Sequence, residues 1–124
     1  MTIHESAEDY LEAILILRER RGAVRSIDIV NELGYSKPSV SIAMKKLREN
    51  GYISMAADGL ITLNASGLDI ASRIYHRHRT LTELFTLLGV SPENAAADAC
   101  KVEHDLSEET FARIHDFVQQ RGHE

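Results

Sequence analysis

The sequence has a single cysteine in 124 residues. That excludes an internal disulfide framework and any four-cysteine zinc or iron–sulfur site built within one chain. No apolar run approaches the roughly 18 residues a membrane span requires, so no membrane partner is expected. The opening residues MTIHESAEDY are polar and acidic where a secretory signal would be apolar. Nothing therefore calls for an oxidising compartment, and the expected location is the cytoplasm. There is no internal repeat and no low-complexity linker. At this length the chain supports one compact unit or two very small ones sharing a core, and a core so small favours a dimer.

Positive charge is also lacking overall, since the formal net charge is -5. Taken as a sum, this argues against a nucleic-acid partner; the distribution argues for one. Residues 18–50 hold eight Lys or Arg against four Asp or Glu, whereas residues 81–124 hold three basic and nine acidic groups. DNA affinity depends on local phosphate neutralisation, so a basic front half remains compatible with it. The acidic back half suits a site that attracts cations.

Apolar positions 10, 11, 14, 15 and 17 predict a helix over 5–20, with Ser6 as cap, Asp9 as the capping-box acid and Gly22 as its stop. A short helix follows over 27–33, with Ser26 as N-cap and Gly34 at its end. Ser36 caps a third helix, which carries Pro38 in its first turn and stops at Asn50-Gly51. Two β-type runs, 52–55 and 60–63, are joined through Ala57-Asp58-Gly59, a strong hairpin signal. Three further helices are expected, from Asn64 or Ser66 to Leu88, from Ser91-Pro92-Glu93 to about Asp105, and from Ser107 to about Gln120. The fold class is mainly α: a winged helix-turn-helix over 1–64, followed by an all-helical domain over 65–124.

Ile29, Val30 and Leu33 are expected to face Val40, Met44 and Leu47, which form one helical stripe. The opposite face of the third helix then presents Lys37, Ser39, Ser41, Ile42, Lys45 and Lys46, with Ser36 and Pro38 at its start. Small polar groups at an N-terminal turn suit base edges, and flanking lysines suit phosphates. These eight residues are the candidate DNA contacts. The wing tip (Ala56, Ala57, Asp58) is not basic, so little phosphate affinity is expected there.

Three separated segments carry potential metal ligands. Asp9 and Glu12 are three apart on the first helix, His78 lies in YHRHRT, and Cys100, Glu103 and His104 stand at i, i+3, i+4 on the fifth helix. Carboxylate, imidazole and thiolate together suit a borderline transition metal better than magnesium or calcium. Taken singly each has a plainer use. Two acids can form a solvated helix face, His76 and His78 beside Arg77 and Arg79 can form a basic stripe, and a cysteine can be a small buried hydrophobe.

Four segments give the chain a wider likeness: EDYLEAI, SKPSVSIAMKKLRENGYI, LITLNASGLDIASRIYHRHRTLTELFTLLGV and ACKVEHDLS. It resembles the diphtheria-toxin-repressor-type family of iron- and manganese-dependent bacterial repressors over nearly its whole length. The resemblance implies a homodimer on palindromic operator DNA, with the helices after the wing forming the dimerisation half. It also implies a divalent-metal cofactor, Fe(II) or Mn(II), with Zn(II) or Co(II) able to substitute in vitro, and assigns Asp9, Glu12, His78, Cys100, Glu103 and His104 as ligands. Asp9 and Glu12 match the manganese branch, whereas Cys100 is the choice of the iron branch. Thr82 and Ala96 stand where the iron branch places ancillary ligands, so that second site is not expected. The chain resembles the short, two-domain manganese-regulator form, without the SH3-like domain of longer members. One and two ions per chain both fit, because Glu12 and Glu103 can each bridge.

Two other readings compete. A metal-independent winged-helix regulator would sense a small organic ligand through a roomy apolar pocket. A metallohydrolase would need an open coordination position and a general base, and would leave the helix-turn-helix without a use. The repressor reading carries no small-molecule substrate and no enzymatic activity.

Overall fold

The computed structural model describes residues 5–122. The elements run α1 (Glu5–Arg21), α2 (Ser26–Leu33), α3 (Lys37–Glu49), β1 (Ile53–Met55), β2 (Ile61–Leu63), α4 (Ala65–Leu87), α5 (Pro92–Val102) and α6 (Glu108–Gly122). This is the mainly helical winged helix-turn-helix order expected from the sequence. Two compact units divide between residues 73 and 74, within α4.

In the first unit, α1 buries Leu11, Ile14 and Leu17, and α2 buries Ile29. Val40, Met44 and Leu47 line the inner side of α3. Val30 and Leu33 are only half-buried, so Ile29 carries most of the α2 contribution. Gly34 closes α2 in the left-handed conformation (φ 73°), its N–H donating to the Val30 carbonyl. Ser36 then caps α3 as expected, its Oγ accepting from the Ser39 N–H at 3.2 Å, with Pro38 in the first turn.

Two caps differ from the sequence reading. Ser26 is the first residue of α2 rather than its cap. Arg25 takes that place, because the Asp28 carboxylate reaches back to the Arg25 N–H at 2.9 Å. Ser6 lies inside the first turn of α1, which already includes Glu5. Any cap for α1 falls outside the described residues.

The wing strands are antiparallel, with Ile53 opposite Leu63 and Met55 opposite Ile61, and each is shorter than the run expected. Val24 extends this sheet by a bridge, accepting from the Ile61 N–H at 2.8 Å. At the tip, Asp58 accepts from the Leu60 N–H at 3.1 Å while Gly59 adopts φ 87°. The start of α4 lies against β1's approach: any Cβ on Gly67 would collide with the Tyr52 carbonyl.

The second unit buries Ile74 and Leu81 of α4, Ala95 and Ala99 of α5, and Val118 of α6. Ser91 caps α5 and Ser107 offers its Oγ to the Thr110 N–H at the start of α6. α5 ends at Val102 instead of Asp105. The carbonyl of Glu103, which a longer helix would use internally, is taken by the Arg77 guanidinium at 3.1 Å.

Candidate metal centre

α4 turns Ile74, Arg77 and Leu81 inward, at helical spacing, and carries the half-buried His78 beside them. In α5 the buried residues are Ala95 and Ala99. Cys100 follows Ala99, and Glu103 keeps helical backbone (φ -59°, ψ -26°), its N–H still bonded to the Ala99 carbonyl. The i, i+3 relation of Cys100 and Glu103 therefore survives the early end of α5.

His78, Cys100 and Glu103 each bring one donor atom within 4.8 Å of the others. His78 Nδ1 lies 3.0 Å from Glu103 Oε2. Glu103 is wholly buried, His78 keeps a 23 % exposed side chain, and Cys100 opens to solvent. The second carboxylate oxygen, Oε1, is buried and receives no hydrogen bond. His104 Nε2 lies 3.5 Å from it. His104 thus stands in the turn after α5, next to Glu103, but outside the three-residue cluster.

A buried carboxylate needs positive charge close by, and a buried oxygen without a hydrogen bond is a poor resting state. A thiolate–imidazole–carboxylate set suits a borderline first-row divalent ion; hard ions prefer oxygen throughout. These donors fit a transition metal. An organic-ligand sensor has no use for their convergence.

Asp9 and Glu12 belong to the first unit, on one side of α1. Their carboxylates offer oxygens within 4.8 Å of each other, Glu12 being buried and Asp9 half-buried. Glu5, four residues before Asp9, offers an oxygen within the same distance of it; the sequence reading passed over that acid. Glu8 is committed elsewhere, since Arg73 reaches its carboxylate at 3.0 Å.

The outward face of α3 is as expected: Ser36, Lys37, Pro38, Ser39, Ser41, Ile42, Lys45 and Lys46 are all exposed. Ile42 is 57 % exposed. Ser41, Ile42, Lys45 and Arg48 also line a shallow groove with Ser26 and Met55. At the wing, Arg25 contacts Asp58 twice: Nη2 meets Oδ2 at 3.3 Å and Nε donates to the carbonyl at 3.3 Å. The Leu60 N–H and then Arg25 hold the Asp58 carboxyl below its usual range.

A winged helix-turn-helix together with a His–Cys–Glu cluster that could hold a metal ion points to a class, the metal-responsive regulators of transcription. Residues 2–59 match the iron-dependent repressor N-terminal DNA-binding domain, and residues 64–123 match the iron-dependent repressor metal-binding and dimerisation domain. The chain belongs to the iron-dependent repressor family. It is 36% identical to the transcriptional regulator MntR of Escherichia coli O6:H1 over 118 residues, covering 95% of this chain and 76% of that protein. Against the HTH-type transcriptional regulator MntR of Geobacillus kaustophilus it is 37% identical over 114 residues, covering 92% and 81%. Among solved structures, the IdeR of T. acidophilum superposes with a TM-score of 0.81 at 27% identity, covering 98% of this chain and 55% of that one. A manganese-dependent transcriptional repressor in complex with manganese gives a TM-score of 0.83 at 29% identity, covering 91% and 52%. The chain spans about half the length of these two solved structures.

Proposed function

We propose that this chain is a repressor that binds palindromic operator DNA as a homodimer when loaded with Fe(II) or Mn(II), and so controls metal homeostasis. It is not an enzyme in this reading and takes no small-molecule substrate. One observation carries it above all. The wholly buried Glu103, with an oxygen that no hydrogen bond reaches, stands beside His78 and Cys100 in a chain whose α3 presents a polar and basic outer face.

His78, Cys100 and Glu103 hold the ion, and the family resemblance adds Asp9, Glu12 and His104 to the ligand set. A bound divalent ion supplies the positive charge that turns mutual repulsion among these anionic donors into shared coordination. Glu103 must be ionised and Cys100 a thiolate to take part, so loading releases protons and weakens on acidification. Ser36, Lys37, Pro38, Ser39, Ser41 and Ile42 meet base edges and the nearest phosphates, while Lys45 and Lys46 neutralise the backbone. Two copies of α3, about one helical turn of DNA apart, read the two half-sites.

Metal and operator affinities are then reciprocally coupled, typically by ~1–3 kcal/mol. The test is a gel-shift titration on a duplex selected from a random pool, run with Mn(II), with anaerobic Fe(II) and with chelator. Tighter binding with metal supports the reading; equal affinity in all three overturns it. Zn(II) and Co(II), later in the order of intrinsic affinity, are expected to load in vitro, leaving cellular availability to choose between iron and manganese.

A further inference from the structure

Arg77 is a guanidinium where the helix pattern asks for an aliphatic residue. It stands between Ile74 and Leu81 on the inner face of α4 and is 4 % exposed. A buried cation is costly unless it is paired, and Arg77 places one of its nitrogens, Nη1, on a single turn of chain while its buried Nε takes no hydrogen bond. Nη1 donates to the Glu103 carbonyl at 3.1 Å and to the Leu106 carbonyl at 2.8 Å. The planar group also lies over the Phe111 ring, 5.2 Å from its centroid, which seats it from the α6 side.

Consecutive residues of α4 therefore grip Glu103 at both ends. His78 meets its carboxylate at 3.0 Å and Arg77 meets its carbonyl. That carbonyl lies at the end of α5, where helix carbonyls lack internal partners and the dipole favours a cation. Arg77 holds the carbonyls at both ends of the 103–106 turn that follows α5. It makes no hydrogen bond to a ligand side chain, so its influence on the centre runs through the backbone that carries Glu103.

We propose that Arg77 is a positioning residue of the metal centre, setting metal affinity by fixing the backbone from which Glu103 reaches His78 and Cys100. This rests on the metal-binding reading above. A supporting residue of this kind is typically worth ~10–100-fold in metal affinity. Arg77→Lys keeps the charge, but an ammonium is a point donor on a flexible stem and lacks the fixed planar fork. It is expected to recover only part of the loss.

The experiment titrates Co(II) into the full chain and follows the thiolate-to-cobalt charge-transfer band and the ligand-field bands. The wild type, Arg77→Lys and Arg77→Met are compared, with thermal unfolding of each metal-free protein recorded alongside. The expected result is Co(II) affinity in the order wild type, Arg77→Lys, Arg77→Met. The last is weakened ~10–100-fold and its ligand-field bands are shifted, beyond what its metal-free unfolding midpoint accounts for. Unchanged affinity and spectra in both variants, with only a lower unfolding midpoint, would overturn the proposal by showing a merely structural role. Should Arg77→Met fail to fold, Arg77→Lys and Phe111→Leu, which loosens the guanidinium seat, give the same reading at smaller amplitude. A wild type that binds no Co(II) would instead overturn the metal-binding reading itself.

Discussion

His78 Nδ1 stands 3.0 Å from Oε2 of Glu103, a carboxylate that solvent does not reach. On the proposed reading the imidazole serves both states of the centre, as the partner of a buried carboxyl group and as a metal ligand. His78→Ala removes both, leaving Glu103 buried without that partner. Metal affinity is expected to fall by more than the ~10–100-fold typical of a supporting residue. The metal-free chain should also lose stability. Isothermal titration with Mn(II) and a urea melt check the two halves separately, and unchanged metal affinity would remove His78 from the ligand set.

Cys100 opens to solvent at the edge of the same cluster. Replacing its sulfur with a carboxylate moves the donor set towards hard, all-oxygen coordination, which manganese accepts better than softer ions do. Cys100→Glu is expected to shift activation of DNA binding towards Mn(II) and away from Zn(II) and Co(II). Gel shifts across a metal series check this. An unchanged series would show that Cys100 binds without selecting.

The features legible in the sequence are those whose chemistry is local. Ser36 with Pro38, Gly34 and Asp58-Gly59 act within a few residues, and each does in the fold what its spacing implies. The α2 cap is Arg25 rather than the expected Ser26, because the Asp28 carboxylate reaches back to the Arg25 N–H. α5 ends at Val102, short of the expected Asp105. The turn that follows is held by Arg77, 26 residues away, and no local propensity records that contact. The candidate ligands follow the same division. Helical spacing was enough to join Cys100 to Glu103 and the family resemblance singled out His78, but only the fold brings His78 beside them and turns His104 to the other carboxylate oxygen. One signal was available and unused: an arginine on an otherwise apolar stripe, between Ile74 and Leu81, is a buried charge that must have a task.

Gly67 is a helical residue that cannot carry a side chain. Alanine normally stabilises a helix by about 1 kcal/mol over glycine. Here its Cβ would enter the space of the Tyr52 carbonyl, a backbone atom that cannot swing aside, with Leu11 also in contact. Gly67→Ala is therefore expected to destabilise, by ~1–3 kcal/mol, reversing the usual sign. Denaturant unfolding measures it, and a stabilised variant would mean that the wing and the start of α4 separate freely.

Asp58 occupies Arg25 at the wing, holding its guanidinium at 3.3 Å with both side chains largely exposed. An exposed pair of this kind contributes little to stability, so its main effect is on where the cation points. Asp58→Asn removes one negative charge facing DNA and weakens the hold on Arg25, which becomes available to a phosphate. Affinity for any duplex is expected to rise several-fold at low salt, with little change in sequence preference. The slope of log K against log salt should steepen by about 0.9 if one phosphate is gained. Lys45→Ala on the exposed face of α3 serves as the opposite control, weakening binding to all sequences and reducing that slope by about 1. Fluorescence anisotropy across a salt series measures both. If Asp58→Asn leaves affinity and slope unchanged, the wing lies away from the phosphates, and α3 alone carries the contact with DNA.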